Sequence, residues 1–141
     1  MENHTLTALP AELQALSDYL GRLPDVLAAL VFGSAAAGRL RPDSDLDIAV
    51  LFPAQAVPDA LAAVELRERL TQFASRDVDL VVLNQAPPIL AFQAIKNGRI
   101  IACHDQYAYQ CYVMRLISEY ADFKRIRRPI TSGECMLDRD I

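Results

Sequence analysis

The sequence contains no tryptophan, two histidines, three cysteines and five glycines in 141 residues. With aromatics at 7%, its core has to be filled by aliphatic side chains. His4 and His104 stand alone, so a histidine-ligated zinc site is not expected. Cys103, Cys111 and Cys135 are odd in number and form no C-x-x-C pair, which predicts buried or incidental thiols in a reducing cytosol. Any metal would therefore be held by oxygen. No apolar run approaches the ~20 residues that span a bilayer. Met1-Glu2-Asn3-His4 also lacks the basic-then-apolar order of a secretion signal. A cytoplasmic protein with no membrane partner is the expectation, and a net charge of −4 argues against a general affinity for nucleic acid.

What is present suffices for one packed unit: 52% of residues are hydrophobic and 23% charged, with no internal repeat and no linker. The expected domain covers residues 1–128, and 129–141 forms a C-terminal tail with little periodicity from Ile130 to Ile141. Pro10 opens a helix with Leu13, Leu16 and Leu20 on one face and Gly21 near its end. Val26 to Phe32 reads as a short buried strand. Ser44 to Phe52 alternates, with Leu46, Ile48, Val50 and Phe52 on one face and Asp45, Asp47, Ala49 and Leu51 on the other. A helix follows from Pro58-Asp59 to about Ala74, its apolar positions being Leu61, Val64, Leu66 and Leu70.

Asp77 to Leu83 is a third strand, Pro87 to Lys96 a helix ended by Asn97-Gly98, and Arg99 to Cys103 a further short strand. The last helix runs from about Gln106 to Arg127, with Tyr109, Tyr112, Val113, Leu116, Ile117, Tyr120 and Phe123 at helical spacing and Pro129 ending it. Tyr109, Tyr112 and Tyr120 are read as packing residues, and the basic run Lys124, Arg125, Arg127 and Arg128 as charge suited to a helix end. The order of elements predicts an α/β fold, a small mixed sheet flanked by helices.

The chemistry is concentrated in Gly33-Ser34, ten intervening residues, and Asp45-Leu46-Asp47. A Gly-Ser pair at a strand end, opening the Ala35-Ala36-Ala37 turn, offers backbone N–H groups and a hydroxyl to a phosphate chain. Asp45 and Asp47 are two apart on a strand, so both carboxylates leave one face. Paired carboxylates with phosphate oxygens form a hard ligand set for Mg²⁺. A third carboxylate can come from Asp79; Asp77 shares its face and competes for the place, and the apolar run behind Asp79 favours Asp79. Three carboxylates on one face repel, and divalent cations relieve that repulsion while clamping the attacking and leaving oxygens of a phosphoryl displacement. Arg39 and Arg41, between the turn and the aspartates, are placed to neutralise phosphate charge.

The Gly-Ser-x10-Asp-x-Asp pattern resembles the nucleotidyltransferase superfamily related to DNA polymerase beta. The chain is similar as a whole to its minimal nucleotidyltransferase (MNT) branch over about residues 10–128. The matching residues are Val31-Phe32-Gly33-Ser34, Gly38-Arg39, Arg41 to Val50 and Val78-Asp79-Leu80-Val81, and less specifically Gly98-Arg99-Ile100-Ile101 and Tyr120 to Lys124. The resemblance implies a polymerase beta-like fold and an antitoxin that transfers AMP from ATP, with Mg²⁺, to a tyrosine of a HEPN-family toxin, a helical RNase. It further implies that Gly33 and Ser34 bind the triphosphate and that Asp45, Asp47 and Asp79 hold metal and direct catalysis. The choice of adenine comes from the resemblance alone. Two other readings stay open at this point: the same chemistry on a small hydroxylated acceptor such as an antibiotic, and a non-catalytic antitoxin acting by occlusion.

Overall fold

The computed structural model describes residues 11–33 and 45–127, with the backbone alone at Glu12 and at 123–127. In chain order the elements are α1 (Ala11–Arg22), β1 (Ala28–Phe32), β2 (Leu46–Leu51), α2 (Ala60–Ala74), β3 (Val78–Val82), α3 (Pro88–Asn97), β4 (Arg99–Cys103) and α4 (Gln106–Arg127), with a 3₁₀ turn at Ala54–Ala56. The four strands form one sheet in the order β3-β2-β1-β4. β1 pairs antiparallel with β2 and with β4, and β2 pairs parallel with β3, so the sheet is mixed as expected.

Each face of the sheet has its own core. Leu46, Ile48 and Val50 of β2 join Leu13, Leu16 and Leu20 of α1 and Leu70 and Ala74 of α2 on one side. Ala49 and Leu51 join Ala91 and Ala94 of α3 and Tyr109 and Leu116 of α4 on the other. A strand covered on both faces reads as a continuous apolar run, as β2 does from Ile48 to Leu51, the acids interrupting it only at one end.

The helix ends follow local chemistry. The Asp59 carboxylate accepts from Ala62 N at 2.8 Å and caps α2, which stops at Ser75 in the left-handed region, φ 59°. Pro88 occupies the first turn of α3, where its missing N–H costs nothing. β2 does not reach Phe52 as expected. Beyond Leu51 the Asn84 side chain takes over from a strand: Phe52 N donates to its Oδ1 at 2.9 Å, and its Nδ2 donates to Phe52 O at 2.7 Å. Val26 and Leu27 likewise precede β1 rather than belong to it. Leu27 N donates to Leu51 O, and Leu27 O accepts from His104 N.

Two stripes differ from the spacing argument. Leu66 packs against the core and Leu70 and Ala74 are buried in it, whereas Leu61 is 68% and Val64 47% exposed. Leu61 lies nine residues before Leu70, half a helical circle away at 100° per residue, so both cannot face the sheet. In α4, Tyr109 and Leu116 are buried but Ile117 is half exposed. Cys103 and Cys111 are free and exposed, which fits incidental rather than buried thiols. Pro10, Ser44, the 129–141 tail, Cys135, His4, Arg128 and the turn after Gly33 lie outside the described residues, as do the side chains of Phe123, Lys124, Arg125 and Arg127.

Candidate active site

β1 ends in a turn at Gly33, whose φ is +72°. This left-handed conformation disfavours a side chain by itself. The space is also closed: a Cβ on Gly33 would overlap Oδ2 of Asp47 and lie 3.4 Å from its Cγ. The glycine therefore serves the Asp47 carboxylate as much as the backbone. The antiparallel register explains the meeting, since Phe32 is the cross-strand partner of Asp47.

The parallel register of β2 and β3 supplies the second contact. Asp47 is paired with Asp79, and Leu46 with Val78, the ladder opening where Leu46 N donates to Asp77 O at 2.9 Å. Asp79, rather than Asp77, therefore stands beside Asp47, and the alternation that left both open is decided by register. The Asp47 and Asp79 carboxyls stand close enough to act on one another. Asp47 titrates above its ordinary value; burial is the largest cause, followed by the charges of Asp79 and Asp45. Asp47 is partly buried, while Asp45 and Asp79 are exposed.

Asp47 and Asp79 thus stand side by side in register, and Asp45 acts on Asp47 through its charge. Among the described residues no three carboxylate, imidazole or thiol groups are gathered closely enough to hold a metal ion as they stand. Asp45 precedes β2, outside the strand that fixes Asp47. The donor set nevertheless suits a hard divalent cation, because it is all carboxylate and the charges of Asp79 and Asp45 both act to raise the Asp47 pKa. Ser34, Arg39 and Arg41 lie outside the described residues.

The tyrosines pack, as their spacing predicted. Burial pushes Tyr109 and Tyr112 up to about 12, Tyr112 donates to Leu83 O at 3.1 Å, and Tyr120 stacks on Phe92 with ring centroids 4.1 Å apart. His104 is no ligand here: its ring nitrogens meet the carbonyl oxygens of Val26 and Gly21. Sequence reasoning missed the fit between Gly33 and Asp47. Its only trace is a glycine fourteen positions before that acid.

With this geometry in hand, the chain can be compared with known proteins. The family model for polymerase beta nucleotidyltransferases matches residues 14–107. The protein adenylyltransferase MntA of Shewanella oneidensis is 32% identical over 108 residues, which cover 77% of this chain and 76% of that protein. A crystal structure of a toxin-antitoxin with AMP-PNP superposes with a TM-score of 0.72 at 28% identity, over 84% of this chain and 93% of that one. The complex of tri-AMPylated S. oneidensis HEPN toxin with MNT antitoxin gives a TM-score of 0.66 at 27% identity, over 82% and 89%. No helix among the described residues is long and apolar enough to cross a membrane. The extent of the family match, the identity to a curated relative, and a mixed sheet carrying acids at the end of β2 agree: this chain belongs to the polymerase beta nucleotidyltransferase family.

Proposed function

We propose that the chain transfers AMP from ATP to a tyrosine hydroxyl of a HEPN-family toxin in the cytoplasm and so neutralises it. The observation that carries this is the Asp47–Asp79 pair, set in register on neighbouring parallel strands and fitted against Gly33. The curated relative is named a protein adenylyltransferase, and the superposed complexes contain AMP-PNP or an AMPylated HEPN toxin. Residues 1–128 form the catalytic unit in this reading.

Each residue then has a task. The Gly33 turn and Ser34 receive the triphosphate, and Arg39 and Arg41 offset its negative charge. Asp45, Asp47 and Asp79 would hold Mg²⁺, which when bound polarises the phosphate oxygens and offsets the charge of the leaving pyrophosphate. Asp79, exposed on β3, takes the proton from the tyrosine hydroxyl. The tyrosine oxygen bonds to the α-phosphorus as the bond from that phosphorus to the pyrophosphate oxygen breaks. The new phosphodiester adds negative charge and bulk beside the toxin's RNA site, which repels RNA.

The test is to incubate the chain with the HEPN toxin of its own locus, ATP and Mg²⁺, and to seek AMP adducts by mass spectrometry, with Asp45→Asn/Asp47→Asn as control. Adducts made only by the intact protein support the reading. Neutralisation that survives the double substitution without adducts identifies an occluding antitoxin, and transfer to small molecules alone identifies a different acceptor class.

A further inference from the structure

α3 ends beside the candidate site. A Cβ on Gly98, the residue after its last turn, would overlap Ala94 O and lie 3.0 Å from Val31 O and 3.4 Å from the Leu30 side chain. Val31 is one residue short of Phe32, the cross-strand partner of Asp47. The helix also covers the face of the sheet that carries the acids. Ala91 and Ala94 share one core with Ala49 and Leu51, and Val81 packs against it. Asp47 stands two residues before Ala49, and Asp79 two before Val81, so all four point the same way. The C-terminal end of α3 and the two aspartates thus occupy one face and one end of the sheet.

The two flanks of α3 have different neighbours. Phe92 stacks on Tyr120, so α4 lies along that flank. α4 itself packs at the far end of the sheet: Tyr112 donates to Leu83 O, and Cys111 and Arg115 line a groove with Leu27 and Leu51. Leu27 precedes β1, Leu51 closes β2 and Leu83 follows β3, all at the end remote from Asp47. The other flank of α3 therefore borders the acid end of this face. At about 100° per residue, Asn97 falls about 140° from Phe92 and within about 20° of Leu90, on that second flank, while Lys96 stands on the outward crest. Asn97 is exposed, and its carboxamide can both donate and accept.

We propose that Asn97 hydrogen-bonds a ribose hydroxyl of the bound nucleotide and is a specificity-determining residue for the sugar. The proposal rests on the function proposed above, which sets the α-phosphorus at Asp47 and Asp79, and deepens it. A helix C-terminus carries partial negative charge, so Asn97 is a poor place for the triphosphate, and the left-handed turn at Gly33 is the better one. α3 also ends in extended backbone at Gly98, φ −86°, and not in the left-handed cap that folds Ser75 N back onto Thr71 O in α2. What such an end receives well is a hydrogen-bond donor. The donors nearest the α-phosphorus are the 2′ and 3′ hydroxyls, because the ribose joins it directly through O5′. The amine of adenine lies a whole sugar further on.

The experiment measures nucleotide binding to the full-length chain by isothermal titration calorimetry, with Mg²⁺ and without acceptor. The ligands are ATP, 2′-deoxy-ATP, 3′-deoxy-ATP and GTP. The proteins are wild type, Asn97→Ala and Lys96→Ala, each checked for folding by circular dichroism. Wild type is expected to bind ATP about five- to tenfold more tightly than at least one deoxy analogue, the worth of one hydrogen bond. Asn97→Ala loses that preference and binds ATP as weakly as wild type binds the analogue, whereas Lys96→Ala keeps the ratio. The ratio of ATP to GTP affinity is the same in all three. A wild type indifferent to both hydroxyls, an Asn97→Ala protein that keeps the preference, or one whose ATP-to-GTP ratio changes instead each overturns the proposal. So does a Lys96→Ala protein that loses the preference equally. Because binding needs no acceptor, a chain that shows this sugar preference yet never modifies the toxin refutes the proposed transfer and leaves the ribose contact standing.

Discussion

Replacing Gly33 with alanine disturbs the backbone and the candidate metal-binding carboxylate together. An alanine held at φ +72° costs about 1–2 kcal/mol. The methyl group cannot share space with Oδ2 of Asp47, so that carboxylate must turn off its rotamer, at about 0.5–1.5 kcal/mol. Together these give about 1.5–3.5 kcal/mol of lost stability, equivalent to roughly a 1 M fall in the urea midpoint for a small domain. The effect on chemistry should be larger than on folding, since a reacting group misplaced by about 1 Å costs about 10²-fold in rate. The assay is urea unfolding followed by circular dichroism, with AMP transfer measured at a temperature where both proteins are folded. Gly21→Ala is the control, because nothing lies within 4 Å of a Cβ there. Wild-type stability or a wild-type rate in Gly33→Ala would refute the argument that this glycine is shaped to the acid.

Two further changes test the frame around the site. His104 points both ring nitrogens at carbonyl oxygens, which only accept, so the imidazolium satisfies the arrangement best; the bonds to Val26 and then Gly21 hold its pKa above 6.5 against a smaller opposing effect of burial. Stability from this clamp is whole below pH 6.5 and is lost as pH rises through the folded-state value. A Tm difference between wild type and His104→Gln that stays constant from about pH 5 to pH 9 would contradict it. Asn84→Ala strips Phe52 of partners for its N–H and C=O and should cost about 1–3 kcal/mol in urea unfolding, with a loss under about 0.5 kcal/mol counting against the strand-mimic account.

The parts of the molecule legible from sequence are those in which one local rule suffices. β2 could be read because both its faces are covered and its run from Ile48 to Leu51 is apolar throughout, and the acids could be placed on one face because that face follows from parity. Parity could not choose between Asp77 and Asp79, which differ by a full period of two; only the pairing of β3 with β2 separates them. Helical spacing failed where a helix carries apolar residues on more than one side. Leu61 and Val64 are as hydrophobic as Leu66 and Leu70, and Ile117 as hydrophobic as Leu116, so composition did not reveal which stripe meets the sheet. The bonds of Asn84 join residues 32 positions apart, and no pattern within either segment announces them.

The pairing of Asp47 with Asp79 also fixes how the site can be altered. Neighbouring strands sit about 4.8 Å apart because their peptide groups are bonded to one another, so the gap between these two acids is gauged by main chain and not by the residues packed beneath them. Substitutions throughout either core can tune stability and leave that gauge untouched. A slip of β3 by one residue would instead turn Asp79 to the opposite face and carry it out of reach. The spacing available to a cation is thus inherited with the sheet, free to persist while most of the surrounding sequence drifts.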